Sequence, residues 1–156
     1  MKRERYQIIP AVFIVLLDHN ERVLLHRRYR TGYLDGLYDF PSGHLEEGET
    51  LHQAAARELR EETSLIIDPD ELVLVHVNQN SSEREKPYIN FVFLIKNWIG
   101  TPLINEPQKC DHIDFFHLDA LPETTLQVQS VLRALKAQVA MSFSYFELGS
   151  IASFMN

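Results

Sequence analysis

Residues 43–65 read Gly43-His44-Leu45-Glu46-Glu47-Gly48-Glu49-Thr50-Leu51-His52-Gln53-Ala54-Ala55-Ala56-Arg57-Glu58-Leu59-Arg60-Glu61-Glu62-Thr63-Ser64-Leu65, an acidic, glycine-bearing loop running into a helix. The last turns of that helix carry Arg57, Glu58, Glu61 and Glu62. Carboxylates at i, i+3 and i+4 lie close together on a helix surface and repel. Such a run is either a solvated acidic face or a site for a hard divalent cation. An ideal helix advances ~100° per residue, so with Leu51 at zero, Ala54, Ala55 and Leu59 fall at about −60°, +40° and +80°. Glu58 and Glu62 then fall near −20° and +20°, inside the apolar stripe, with Glu61 near −80° at its margin. Inward carboxylates without a partner are costly, and they shift their pKa or bind a cation.

The rest of the chain sets limits on what such a site can serve. Its 156 residues suit one domain spanning 1–156, and 45% hydrophobic with 24% charged residues is an ordinary globular composition. A net charge of −7 argues against a general nucleic-acid surface, which would need a basic stripe. Cys110 is the only cysteine, so no disulfide can form within the chain, and a reducing setting is expected. The basic start at Met1-Lys2-Arg3-Glu4-Arg5 is not followed by a small-residue cleavage site, and no apolar run approaches ~18 residues. A cytoplasmic location without membrane contact is the expectation.

Upstream of the helix, 6–17 is β-branched and apolar and reads as a strand, with Pro10 marking an edge or a break. Asp18-His19-Asn20-Glu21 reads as a turn, returning 22–28 as the second strand of a hairpin. Its exit carries Arg27, Arg28 and Arg30 interleaved with Tyr29 and Tyr33. Guanidinium forks beside aromatics could hold phosphates and stack a base, although a solvated strand end is the commoner fate of any one arginine. A loop containing Asp35-Gly36 and a short strand at 37–40 should follow.

Downstream, 71–78 is apolar on both faces and predicts a central, covered strand, with a partner at 88–98. The polar loop between them, 79–87, carries Glu83 and Glu85, either a further general base or, more simply, solvated loop carboxylates like Glu46 and Glu47. A short strand is expected at 113–118, then a helix over 127–139 from Val128, Val131, Leu132, Leu135 and Val139 at helical spacing. The tail from Met141, with Phe143, Tyr145, Phe146, Leu148 and Phe154, is too aromatic for a disordered end. It could close over a substrate pocket or join a second subunit as a homodimer.

The pattern Gly43, five residues, Glu49, seven residues, Arg57-Glu58-Leu59-Arg60-Glu61-Glu62 resembles the Nudix box of the Nudix hydrolases, with a leaning towards MutT-like nucleotide pyrophosphohydrolases. Two positions depart: Ser64 stands where the family usually has glycine, and Ser42 where many relatives have one. The first puts the helix terminus in question, because a glycine adopts the left-handed cap conformation cheaply and serine does so at about 1 kcal/mol. The resemblance implies an α/β Nudix fold, a mixed β-sheet between helices (α/β/α), and metal-dependent hydrolysis of a nucleoside diphosphate linked to another group. It also implies that Glu58, Glu61, Glu62 and the Gly43 carbonyl coordinate Mg²⁺ or Mn²⁺, and that Arg57 pairs with Glu49 to hold the loop against the helix. Glu58 and Glu61 are the candidates for general base.

A second, weaker likeness is Asn105-Glu106-Pro107-Gln108-Lys109-Cys110, similar to a Glu-Pro-x-Lys-Cys stretch in Nudix enzymes that act on nucleoside triphosphates. It offers Asn105, Glu106 and Phe115 as base-contacting candidates, against the plain reading of a turn before an edge strand. Cys110 reads as a small packing residue. The expected activity is therefore hydrolysis of a nucleoside triphosphate, oxidised or non-standard ones included, to the monophosphate and pyrophosphate. ADP-ribose or a nucleotide-sugar is the alternative substrate. An alternative of another class is a catalytically silent nucleotide-binding module, which should lack one of the three carboxylates.

Overall fold

A computed structural model describes residues 5–81 and 86–147. The opening stretch forms helix α1, Leu51–Thr63. Thr50 caps its start: the hydroxyl accepts from the Gln53 N–H at 3.2 Å, and Gln53 Oε1 accepts from the Thr50 N–H at 2.8 Å. This reciprocal pair satisfies donors the helix leaves open. At the other end Ser64 takes the left-handed conformation, φ +64°, and its N–H donates to the Arg60 carbonyl. The cap that glycine would make freely is made here by a serine held from outside, with Asn105 Nδ2 at 2.8 Å from Ser64 Oγ and 3.4 Å from the Arg60 carbonyl oxygen. The departure from the family pattern at position 64 thus leaves the helix end where a glycine would put it.

The strands are β1 (Ile9–Leu16), β2 (Arg22–Arg28), β3 (Tyr38–Asp39), β4 (Ser42–His44), β5 (Val73–Ser81), β6 (Tyr88–Ile95), β7 (Cys110–His117) and β8 (Ser142–Glu147), with helix α2 at Leu126–Lys136 before the last. One sheet has the order β4-β1-β6-β5-β8 and a second the order β3-β2-β7. β1 runs parallel to β6 and antiparallel to β4, and β8 runs parallel to β5, so the larger sheet is mixed.

Alternation along β1 divides the core. Val12, Ile14 and Leu16 pack with Ala54, Ala55 and Leu59 of α1, whereas Phe13, Val15 and Leu17 pack with Val128, Val131 and Leu132 of α2. The two helices therefore cover opposite faces of the sheet system, as the period-two pattern of a strand covered on both sides requires. In α1 itself, Ala54, Ala55 and Leu59 are fully buried, the same face that the helical wheel predicts.

Several expectations are corrected. β1 and β2 are not partners in a hairpin: they lie in different sheets, and the only ladder pairing beside the turn between them is the isolated bridge Leu17 to Val23. β1 has an apolar residue on each face, so it is used in the interior of one sheet while β2 pairs with β7 and β3. Pro10 is accordingly not an edge marker. It sits in register with Ile89 between two neighbours, and its carbonyl accepts from Leu45 N–H at 3.3 Å. Gly43, read as loop, lies in β4. Of the aromatic tail, 142–147 extends the sheet as β8, parallel to β5. Leu148, Phe154, Glu83 and Glu85, the start at 1–4 and the Phe146 side chain lie outside what is described.

Candidate functional site

α1 lies over β4, and their closest approach is at Gly43, where a Cβ would overlap the Glu58 carboxylate. Glycine at this position is therefore a steric requirement, because only a bare backbone leaves room for the carboxylate. One turn further, Glu62 Oε2 accepts from the Ser42 N–H at 2.9 Å and lies 4.0 Å from Nδ1 of His26 on β2. The side chains of Glu58 and Glu62 are 16% and 15% exposed, against 53% for Glu61. The helical wheel places all three as the structure does, with Glu58 and Glu62 inward and Glu61 at the margin.

Arg57 organises the surroundings. Its Nε and Nη2 donate to the two oxygens of Glu49 at 3.0 and 2.7 Å, Nη2 also reaches the His44 carbonyl at 2.9 Å, and Nη1 donates to Glu58 at 2.8 Å and Glu61 at 3.3 Å. Glu49 in turn accepts from the Glu46 N–H at 2.8 Å. A planar fork is needed for this many fixed contacts, which a lysine could not make. The clamp joins the acidic loop, β4 and the helix face.

The electrostatics follow from this packing. The Arg57 hydrogen bonds hold the Glu49 carboxyl below the usual carboxylate range. Glu58 is raised by burial, with Arg57 pulling the other way and Glu61 adding to the rise. Glu62 is pushed up to about 8, chiefly by burial, which the Ser42 N–H offsets only in part, and Glu58 and Glu106 add repulsion. His26 beneath it is lowered to about 4 by burial and by Arg28, so its imidazole is neutral at ordinary pH.

Two carboxylates with little solvent and incomplete neutralisation, beside a backbone stripped of side chain, make an oxygen-only donor set. Such a set fits a hard divalent cation, whose charge would replace the proton that Glu62 otherwise retains.

Next to this cluster opens a cleft of about 700 Å³. Ser42, Gly43 and His44 of β4 form the rim shared with the carboxylates, and Ala11, Phe13, Asn78, Asn80, Tyr88 and Asn90 form the floor. One wall is the start of α2, residues 124–129, and the other is the loop that contains Tyr33, Leu34 and Leu37. That loop is held in shape by Asp35, which accepts from Thr31 N–H, Thr31 Oγ1 and Gly32 N–H at 2.9, 2.6 and 3.0 Å. Arg28 secures it further, donating from Nε to the Tyr33 carbonyl at 2.7 Å. Asp39 is buried in the cleft wall, accepting from Thr125 Oγ1 at 3.2 Å and its neighbour Phe40 N–H at 2.9 Å. Burial raises its carboxyl to about 6, with Arg28 Nη1 at 3.9 Å opposing the rise.

Of the substrate-contacting candidates read from sequence, Arg28 and Tyr33 line the cleft. The structure places the others elsewhere. Arg27 forms a two-point ion pair with Asp111 at 2.8 and 3.0 Å across the β2–β7 pairing. Asn105 is taken up in capping α1. Glu106 accepts from Lys109 Nζ at 2.8 Å. Phe115 stacks on Trp98, ring centroids 5.5 Å apart, against the α1 side of the core. Cys110 is buried, as a packing residue should be, and burial pushes its thiol up.

Sequence reasoning passed over Asp39, Asn78, Asn90, Gln127 and His26. A signal existed for the asparagines, since a polar residue interrupting a strand with apolar neighbours on both sides is a buried amide in need of a partner.

The fold and the carboxylate cluster define a class. The NUDIX domain matches residues 8–135, and the chain belongs to the Nudix hydrolase family. Members of this family generally use divalent metals such as Mg²⁺. The chain is similar to the NAD-capped RNA hydrolase NudC of Stutzerimonas stutzeri, 27% identical over 85% of this chain and 45% of that protein. It is also similar to the ADP-ribose pyrophosphatase of Methanocaldococcus jannaschii, 27% identical over 85% of this chain and 77% of that one. The chain thus spans under half the length of the NudC proteins it matches. A MutT NUDIX hydrolase from Burkholderia pseudomallei has the same fold, with a TM-score of 0.75 at 22% identity over 81% of this chain and 97% of that one.

Proposed function

We propose that this protein is a divalent-metal-dependent pyrophosphohydrolase that cleaves a phosphoanhydride in a nucleoside diphosphate linked to a further group. The observation that carries the reading is the pair of inward carboxylates, Glu58 and Glu62, meeting the bare Gly43 backbone at the rim of a cleft large enough for a nucleoside. Glu58, Glu61 and Glu62, with Gly43, would hold the metal, and Mg²⁺ suits their oxygen donors, with Mn²⁺ as its substitute. The bound ion supplies neutralisation of phosphate charge and a lowered pKa for the attacking water.

The chain's own residues do the rest. Arg57 and Glu49 keep the loop and β4 in register with the helix, so that the diphosphate meets a rigid rim. Glu58, raised by burial yet hydrogen-bonded through one oxygen to Arg57, would accept a proton from water with its other oxygen. Exposed Glu61 is the second candidate for that role. The nucleoside would occupy the cleft between α2 and the Tyr33 loop.

Two substrate classes remain in contention. Nucleoside triphosphates, including non-standard ones, are the first. ADP-ribose or a nucleotide-sugar is the second, favoured by the archaeal relative that the chain matches over most of its length. The Asn105-Glu106 segment, which in sequence leaned towards triphosphates, is engaged in capping α1 and pairing Lys109.

The test is hydrolysis of canonical and oxidised nucleoside triphosphates, ADP-ribose and nucleotide-sugars with Mg²⁺, for the wild type and for Glu58→Gln and Glu62→Gln. Loss of turnover by at least ~100-fold in both variants is expected. Normal turnover in either sinks the site, and binding without hydrolysis of any substrate by the wild type identifies a silent binding module instead.

A further inference from the structure

Each of the two sheets ends in two edge strands, and β8 is the edge that differs from the rest. β4 spans three residues and lies beneath α1, β3 spans two, and β7 carries the exposed Asp111 and Asp114. Short length, cover and charge are the devices that keep a sheet edge from pairing with another chain. β8 has six residues, and among the described residues no strand lies on its outer side. Residues 137–146 contain no charged residue, no proline and no glycine.

The inner side of β8 is pinned. His76 Nδ1 lies 2.6 Å from Ser142 Oγ and Nε2 2.8 Å from Ser144 Oγ, and Asn78 Nδ2 lies 3.1 Å from Ser144 Oγ. These serines stand in register with His76 and Asn78, on the side of the sheet that α2 covers. Side chains alternate across a strand, so Phe143 and Tyr145 stand on the opposite face, in register with Val77 and Gln79. α1 lies over β1 and β4, at the far end of that face. Phe143 is therefore left 63% exposed and Tyr145 48%, with Val139 and Met141 exposed just before the strand. β8 is thus a preformed strand that presents an aromatic face beside an uncharged backbone edge.

We infer that β8 is the docking surface for a second copy of this chain, the two β8 strands pairing antiparallel about a two-fold axis perpendicular to the sheet. Such an axis keeps each face on its own side, so the aromatic face of one copy continues into that of the other. With the axis at Ser144, Phe143 of each copy stands opposite Tyr145 of the other, an aromatic cross-strand pair of the kind that stabilises a sheet. Charge favours a copy at this place. Two chains of net charge −7 repel, and their contact is least opposed where neither presents a charge, as along 137–146. The area suits a reversible contact. At about 200 Å² for a whole aromatic side chain, Phe143 and Tyr145 present about 220 Å² per chain. Two copies, with Val139, Met141 and the strand edges added, approach the ~1,000 Å² that a specific interface needs. β8 and β4 are opposite edges of the five-stranded sheet, about 19 Å apart across four strand spacings, so docking leaves the carboxylate cluster of each copy open.

The test is sedimentation equilibrium of the full chain over about 1 to 500 µM, where a monomer and a dimer should interconvert reversibly. Phe143→Lys sets like charges beside the axis and should weaken the dimer at least ~10-fold. Ile99→Lys, at an exposed apolar position bridged to Ile66 after α1, should leave the Kd unchanged. Urea denaturation at the lowest concentration checks that both variants keep the fold. Hydrogen exchange of the wild type needs no variant: the amides of 142–147 that point away from β5 should exchange fast when dilute and slow when concentrated. A monomer at every concentration overturns the proposal, as does a dimer indifferent to Phe143→Lys. Association beyond the dimer also overturns it, because a two-fold contact closes on itself. Outward amides equally protected at every concentration overturn it too, since the edge is then taken within the chain, by residues such as 148–156.

Discussion

Replacing Glu62 with glutamine should make the metal-free protein more stable while removing its activity. The carboxyl of Glu62 is pushed up from 4.5 to about 8 by burial. In the unfolded chain the group ionises near its ordinary value, so folding above that pH requires it to take up a proton or bury a charge. For an acid whose folded pKa is raised, stability is full below about 4.5 and is lost as pH rises through the interval up to about 8. At about 1.4 kcal/mol per pH interval of one, the loss at pH 7 would reach about 3 kcal/mol for a fully sealed group. The side chain keeps 15% exposure, which lets water screen part of the charge, so about 2 kcal/mol is expected. Glutamine has nearly the same shape and keeps an oxygen for the Ser42 N–H. In urea denaturation with a chelator, Glu62→Gln and wild type should match at pH 4.5 and separate by about 2 kcal/mol at pH 7, the variant being the more stable. With Mg²⁺ or Mn²⁺ at ~100 times its Kd the wild type should gain about 2.7 kcal/mol and the variant much less. A variant less stable than wild type in chelator at pH 7, or equal stabilisation of both by metal, would refute the reasoning.

Gly43→Ala should cost about 1–3 kcal/mol and displace the Glu58 carboxylate, because the added Cβ occupies its place; retained stability together with full turnover would show that the contact is relieved without consequence. Asp39 is an acid raised from 3.8 to about 6, so its carboxyl should take about 2 kcal/mol from wild-type stability between pH 4 and pH 6, and Asp39→Asn should lessen the fall in that window, leaving the part that Glu62 contributes; equal slopes in urea melts would contradict the buried carboxyl. Ser64→Gly should relieve left-handed strain of about 1 kcal/mol while losing the hydroxyl contacts to Asn105, for a net gain of about 0.5 kcal/mol. A thermal midpoint lower than that of the wild type would mean that the Asn105 tether outweighs the strain.

Local chemistry was legible in the sequence wherever neighbours along the chain decide it. Helix α1 follows from Thr50, Gln53 and the apolar spacing of Ala54, Ala55 and Leu59, and the inward placement of Glu58 and Glu62 follows from the same 3.6-residue period. The pairing of Arg57 with Glu49 belongs with these, because both residues lie within the one motif. Pairing between strands was not legible in the same way. The 18–21 turn suggests a hairpin, but whether β2 returns to β1 or joins β7 depends on which strand offers a matching face far along the chain. β8 was missed for the same reason, since its place beside β5 is specified by His76, Asn78 and the edge they leave open.

For this protein, then, the sequence by itself determined the carboxylate helix and the family to which the chain belongs, because a motif and a helical period are properties of adjacent residues. Only the tertiary structure decided which residues share the cleft. It paired Arg27 with Asp111 while Arg28 lines the cleft, and it spent Asn105 on a helix cap and Phe115 on the core. It assembled Asn78, Asn90 and Gln127 from two strands and a helix into one ladder of carboxamides that no local pattern announces.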